Sequence, residues 1–199
     1  MAALLFASLA RWVLPGDSLR FDLWIRGAMH SWATPFATVA LYAITVLGME
    51  WVMLPLGALV VWRLAKRGAK RQASVLAVGT LSADAASELL KIVLRRPRPP
   101  VFFGLPHAFS YSFPSGHAFV GTVFYGLLAG ILAGLYPRRR ARIVAAWALL
   151  VLAIGFSRVY LGYHYPTDVL GGWLCAAAWL AMAKRWRSGG APVNAAGEA

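Results

Sequence analysis

The chain has 199 residues, of which 60% are hydrophobic and only 14% charged, with a formal net charge of +13 and a mean hydropathy of +0.62. Soluble domains carry about 25% charged residues, so the composition excludes an ordinary soluble domain and indicates an integral membrane protein with one domain over residues 1–199. The single cysteine, Cys175, excludes an intrachain disulfide and a cysteine-built metal site.

In chain order, MAALLFASLARWVL is apolar, short and interrupted by Arg11. It lacks the basic start and small-residue cleavage site of a secretory signal and reads as a first, short membrane helix. DSLRFDLWIRGAMHSW mixes Leu19, Phe21, Leu23, Trp24 and Met29 with Asp17, Arg20, Asp22 and Arg26, which predicts a helix lying in the membrane interface. TPFATVALYAITVLG follows as a re-entrant piece or as an extension of the next segment, completing an N-terminal region over 1–48. A transmembrane core over 49–187 holds five apolar segments, near 49–62, 73–94, 117–136, 143–162 and 169–183. Crossing a bilayer takes about 20 residues at 1.5 Å each, so flanking turns must lengthen the first and last. The predicted fold is all-α, a polytopic transmembrane bundle of about six helices, with residues 188–199 as a flexible tail.

The placement of the basic residues orients the bundle. Arg63, Lys66, Arg67, Lys70 and Arg71 form one cluster, Arg138, Arg139, Arg140 and Arg142 a second, and Lys184, Arg185 and Arg187 a third. Each ends an apolar segment, as in the cytoplasmic loops of membrane proteins, which argues against a nucleic-acid partner. Alternation of the segments puts these clusters on one face and KIVLRRPRP, SFPSGHAF and SRVYLGYHYPTD on the other, the periplasmic or extracytoplasmic face. Arg95, Arg96 and Arg98 lie there against the positive-inside rule and need their own reason. Gly126, Gly130 and Gly134 are spaced four apart, the pattern of close helix packing within or between chains.

In KIVLRRPRP, Pro97 and Pro99 stop the helix near Leu94, leaving Lys91 in a last turn and Arg98 on a stiff loop. Alone this suits a juxtamembrane cluster meeting anionic headgroups; two converging cations would instead clamp a phosphate. In SFPSGHAF, Ser115 stands at an N-cap, Gly116 leaves N–H groups open at a helix start, and His117 occupies the first turn. In SRVYLGYHYPTD, Arg158 ends one helix, His164 lies on the connecting loop, Pro166 opens the next helix, and Asp168 follows His164 at i+4. There it can hold one imidazole nitrogen and leave the other free as nucleophile or base. Together the stretches place cations, an anion site, two histidines and a carboxylate on one face, a phosphoryl-transfer constellation.

These residues resemble the type 2 phosphatidic acid phosphatase (PAP2) superfamily: Lys91 to Arg98-Pro99 fits K-x6-R-P, Pro114 to His117 fits P-S-G-H, and Ser157-Arg158, His164 and Asp168 fit S-R-x5-H-x3-D. The short amino-terminal helix departs from the six-helix layout of bacterial members. The resemblance implies a phosphatase of membrane lipid phosphates or diphosphates working through a phosphohistidine. His164 would be the nucleophile, Asp168 its orienting carboxylate and His117 the general acid; Lys91, Arg98, Arg158, Ser115 and Gly116 would hold the phosphate. Undecaprenyl diphosphate, phosphatidylglycerophosphate and phosphatidic acid all fit, with a lean to the polyprenyl diphosphate because the site faces outward. Of the seven acidic residues Asp17, Asp22, Glu50, Asp84, Glu88, Asp168 and Glu198, only Asp168 lies in the motif loops, which predicts catalysis without metal or other cofactor. Asp84 and Glu88, i and i+4 inside an apolar segment and close to Lys91, are expected to support the clamp. His30 and His107 match no motif and read as interfacial. The remaining readings are a lipid phosphotransferase and a non-catalytic protein that grips or translocates lipid headgroups; a vanadate-dependent haloperoxidase fits poorly with so apolar a chain.

Overall fold

Each apolar run of the sequence emerges as a helix in the computed structural model, which describes residues 1–106 and 109–188, with side chains to 184. The helices are α1 (Ala2–Val13), α2 (Leu19–Ser31), α3 (Pro35–Val46), α4 (Glu50–Lys66), α5 (Lys70–Leu94), α6 (Gly116–Leu135), α7 (Arg140–Tyr160) and α8 (Pro166–Ser188). No strand occurs among the described residues. His107 and, from residue 189 on, the expected tail lie outside them.

Local chemistry sets the boundaries. Thr34 caps α3, its Oγ1 accepting from Ala37 N–H at 3.2 Å with Pro35 in the first turn. α5 ends at Leu94, as the prolines predict, where Arg95 turns left-handed at φ 50°. Pro166 opens α8, also as predicted. α5, α6 and the stretch Pro137–Tyr160 are each long and apolar enough to cross a bilayer, and α3 with α4 passes the same test as a pair bent by 43°. By this measure there are three spans, or four with the bent pair; six would require α1 and α8 as well. α1 has 12 residues, about 18 Å of helix, too short to cross alone. α8 has the length, 23 residues, with lower apolarity.

α6 is the central helix, packed against α5, α7 and α8. Its Phe119, Val123, Phe124 and Leu127 join Leu76, Ala83 and Ala176 in the main core, while Leu81, Leu89, Leu149 and Leu152 face outward, where acyl chains cover them without penalty. Close backbone approach holds the helices in place: a Cβ on Gly155 would fall 2.4 Å from Trp173, and one on Gly172 2.7 Å from the Ser115 carbonyl oxygen. The Gly126 to Gly134 stripe serves packing only in part. A Cβ on Gly126 would fall 2.9 Å from Leu180, but one on Gly134 would meet nothing within 4 Å. The up-and-down course leaves the basic clusters at one end and gathers the three motif loops at the other, with α2 and the α3–α4 break laid against those loops.

Candidate active site

The third motif forms the centre. His164 lies on the α7–α8 loop, 2% exposed, with Nδ1 3.3 Å from Asp168 Oδ2. Its other nitrogen, Nε2, is 3.2 Å from Arg98 Nη1. A guanidinium can only donate, so Nε2 is the acceptor and the ring proton sits on Nδ1, directed at Asp168. Burial, then the positive fields of Arg98, Arg158 and Lys91, hold the imidazole well below its ordinary titration range. His164 is thus favoured as an uncharged ring whose Nε2 lone pair accepts from Arg98.

Asp168, in the first turn of α8, is fully buried. Its Oδ2 accepts from Tyr165 N–H at 2.8 Å and from the Ser112 hydroxyl. Its Oδ1 accepts from Arg96 Nη1 at 2.5 Å. Arg98 ties the motifs together: its Nε and Nη2 donate to the Ser110 carbonyl and hydroxyl at 2.6 and 2.9 Å, and its Nη1 to the Tyr163 carbonyl at 3.0 Å. Arg158, at the end of α7, donates to Thr45 Oγ1 at 3.0 Å and lies over the Tyr163 ring. Neither Arg98 nor Arg158 is ion-paired to a carboxylate among the described residues. Both are held by neutral groups, Arg98 by oxygens and the His164 ring nitrogen and Arg158 by a hydroxyl and an aromatic face, with their charge left for something else.

A cavity of 480 Å³ is lined by Lys91, Arg98, Gly116, His117, Arg158 and His164 together with Asp84, Glu88 and residues of the α3–α4 break. The structure thus brings the predicted residues of all three motifs together, with Asp168 behind His164. Ser115 is fully buried, and despite its N-cap position its hydroxyl makes no capping bond. Buried polar atoms without a protein partner cluster here: Ser87 Oγ, Ser115 Oγ, His117 Nε2 and Arg158 Nε. In folded proteins such groups are normally satisfied, and a tetrahedral oxyanion with several acceptor oxygens suits this mixture of donors. At Gly116 the backbone comes close to the clamp: a Cβ there would lie 3.1 Å from Lys91 Nζ and 3.4 Å from Ser87 Oγ. Glu88 pairs with Lys91 at 2.6 Å, as expected, but its side chain is half-exposed rather than buried. Asp84 contributes to the cavity wall. Among the described residues no three His, Cys, Asp or Glu side chains are grouped as metal ligands.

Several residues here were not apparent from the sequence. α2 does not present its whole charged face to headgroups. Asp22 and Arg26 are 0% and 4% exposed and point into the protein. Arg96 Nη2 donates to Asp22 Oδ2 at 2.7 Å, so Asp168 is not the only carboxylate engaged with the motif loops. Arg26 reaches the Pro100 carbonyl at 2.6 Å and the Gly162 carbonyl at 3.3 Å, joining the first and third motif loops. The i, i+4 spacing of Asp22 and Arg26 and the misplaced arginine run were the available clues. Nothing in the sequence marked Thr45, Gly48 or Ser112. His30 stacks on Phe102 at 4.2 Å, outside the site.

Comparison with known proteins places this geometry in context. The sequence profile of the PAP2 superfamily matches residues 72–190. Phosphatidylglycerophosphatase B of Bacillus subtilis (strain 168) is 37% identical over 89 residues, 43% of each chain. Undecaprenyl-diphosphatase BcrC of the same organism is 30% identical over 119 residues, 57% of this chain and 56% of that protein. The chain therefore aligns with about half the length of these curated relatives. The crystal structure of a transmembrane PAP2 type phosphatidylglycerolphosphate phosphatase from Bacillus subtilis superposes with a TM-score of 0.90 at 25% identity, covering 97% of both chains.

Proposed function

The chain belongs to the PAP2 superfamily, and from that premise we propose that it is a multi-pass membrane phosphatase of lipid phosphates or diphosphates, acting through a phosphohistidine on His164. The observation that carries this reading is the convergence of His164, Lys91, Arg98 and Arg158 on one cavity, with His164 Nδ1 beside Asp168 Oδ2 at 3.3 Å.

The chemistry follows from the placement. The Nε2 lone pair attacks phosphorus opposite the lipid oxygen; the N–P bond forms as the P–O bond breaks, and His117 gives its proton to the leaving oxygen. Charge on the three equatorial oxygens is met by Lys91, Arg98 and Arg158 and by N–H groups at the start of α6. His117 stands at a helix N-terminus among cations, where the bound phosphate dianion favours its protonated form. The phosphoimidazolium is positive, and Asp168 stabilises it through Nδ1–H. Water, deprotonated by His117, then attacks phosphorus, releasing phosphate and restoring both histidines. Each step draws on side chains and backbone N–H groups of this chain and on water.

A lipid substrate is supported by the cavity's surroundings. Met53 lines both the polar cavity and an apolar groove between α4 and α5 walled by Leu54, Gly57, Leu76, Leu81 and Phe124. A phosphate held by the cations can thus have its hydrocarbon tail among helices. Positive-inside orientation would put the site on the periplasmic side of the inner membrane, where a polyprenyl diphosphate carrier is released; phosphatidylglycerophosphate and phosphatidic acid have the same phosphate-and-tail pattern. The test is phosphate release by purified protein in detergent with EDTA, comparing wild type with His164→Ala on these three lipids. Release by wild type alone supports the reading, and the relative rates rank the substrates. Equal release by both proteins, or no release by folded wild type, overturns it; lipid consumed without free phosphate would instead indicate transfer to an acceptor.

A further inference from the structure

Resting on the proposed phosphohistidine reading, we infer that Asp22 of α2 and Arg96 of the first motif loop are positioning residues that fix Asp168, and through it the tautomer and aim of His164. Arg96 is 7% exposed and bridges two carboxylates that are both fully buried, reaching Asp22 at 2.7 Å and Asp168 at 2.5 Å. Its guanidinium lies over the Tyr165 ring at 4.2 Å and donates to Thr167 Oγ1 at 2.8 Å. Asp22 is anchored in turn by Ser18 Oγ at 3.0 Å and by Thr167 N–H and Oγ1 at 3.0 and 2.8 Å. Ser18, Asp22, Thr167 and Asp168 are all buried, and the chain Asp22–Arg96–Asp168–His164 crosses α2, the first motif loop and the start of α8.

The division of labour at Asp168 gives the chain its role. Oδ1 is taken by Arg96, so Oδ2 is the oxygen left to face His164 Nδ1. A buried carboxylate without a counter-ion takes up a proton or draws in other donors, and a protonated Asp168 would no longer hold Nδ1–H. Neither Arg96 nor Asp22 lines the cavity, so the pair cannot act by touching substrate. Its effect must pass through Asp168 and be felt in kcat rather than KM.

The experiment measures kcat and KM for lipid phosphate release by Arg96→Gln, Arg96→Lys and Asp22→Asn, each alone and in an Asp168→Asn background, with wild type and His164→Ala alongside. The expected loss in kcat for Arg96→Gln is about 10- to 100-fold, by analogy with outer partners of metal-bound histidines, with KM within about threefold. Arg96→Lys recovers part of it, because an ammonium cannot present two forked donors to two carboxylates. In the Asp168→Asn background, the same substitutions cost less than about threefold, since groups that act as a unit are not additive. Asp22→Asn, isosteric but uncharged and with one acceptor oxygen in place of two, serves if Arg96→Gln does not fold. Wild-type kcat in folded Arg96→Gln, a loss confined to KM, or a full loss persisting without Asp168 would overturn the inference. Failure of both Arg96→Gln and Asp22→Asn to give monodisperse protein in detergent would assign the pair to folding and overturn it equally. Failure of the phosphohistidine reading is seen separately, as activity surviving in His164→Ala.

Discussion

Gly48→Ala tests whether the α3–α4 break sets the position of the acid. A Cβ at Gly48 would stand 2.9 Å from His117 Cδ2 and 3.0 Å from Ile154 Cγ2, where ordinary contact begins at 3.4 Å. The break cannot easily back away: Gly48 N–H is bonded to the Thr45 carbonyl at 2.9 Å and Tyr125 donates to the Leu47 carbonyl at 2.7 Å. Ile154 is itself buried at 1% exposure, so the imidazole has to give, by about 0.5 Å. A misplacement of about 1 Å costs roughly 100-fold, which scales to about tenfold in kcat here, or about 1.4 kcal/mol of barrier. Overpacking of this kind also lowers stability by about 1–3 kcal/mol. The assay is lipid phosphate release at saturating substrate, with Gly48→Ala made in both wild-type and His117→Ala backgrounds. With the ring absent, the substitution should cost less than about twofold. Unchanged kcat in folded Gly48→Ala, or a tenfold loss that persists in His117→Ala, would refute the reasoning.

Thr45→Val removes the hydroxyl that holds Arg158 at 3.0 Å. A hydrogen bond to a charged group is worth about 1.5–3 kcal/mol, so kcat/KM should fall at least about tenfold; an unchanged value would mean that the Tyr163 ring alone positions the guanidinium. Glu88→Gln should change kcat/KM by less than about fivefold, because a pair with one half-exposed partner contributes at most about 1 kcal/mol; a larger loss would give Glu88 a role beyond steadying Lys91. The pH profile follows from His164, whose folded-state proton affinity is lowered. The reactive neutral ring dominates above its native pKa and is lost only as pH falls through a value below the ordinary 6.5. From pH 7.5 to 5.5, kcat/KM corrected for the substrate's own ionisation near pH 6 should therefore fall by clearly less than an unshifted histidine would impose. An unshifted histidine would lose about tenfold.

What could be read from the sequence, and what could not, divides along physical lines. The helix segments and the gathering of the motif loops were legible because hydropathy, prolines and basic clusters act locally and leave a periodic or positional record. Thus α5 stops at Leu94 and α8 begins at Pro166, where the sequence put them. The support of the site was less legible, because it depends on distance in space alone. Ser112 binds Asp168, 56 residues away, and Arg96 binds Asp22, 74 residues away. The charges of α2 misled for a similar reason: an amphipathic composition marks a helix as half-polar without telling whether its polar side meets water or a buried counter-ion. Gly48 and Thr45 are small residues in an apolar run, and their importance exists only through His117 and Arg158.

The arginines that broke the positive-inside pattern show how charge selects the ligand. Arg96 is matched internally by two carboxylates, and Lys91 by Glu88. Arg98 is held by neutral oxygens and the His164 ring nitrogen, and Arg158 by Thr45 Oγ1 and the face of the Tyr163 ring; neither has a carboxylate partner among the described residues. A buried cation held by neutral groups is far more costly than one facing an anion, so these two favour whatever brings negative charge to the cavity between them. A lipid monoester phosphate brings close to two charges at neutral pH and three acceptor oxygens, whereas a phosphodiester brings one charge and two free oxygens. On this ground the proposed site would select against the bulk phospholipids around it by charge before shape is considered. Reducing that charge with Arg98→Gln should weaken binding of a terminal phosphate more than binding of a diester, which competition between the two in detergent would measure.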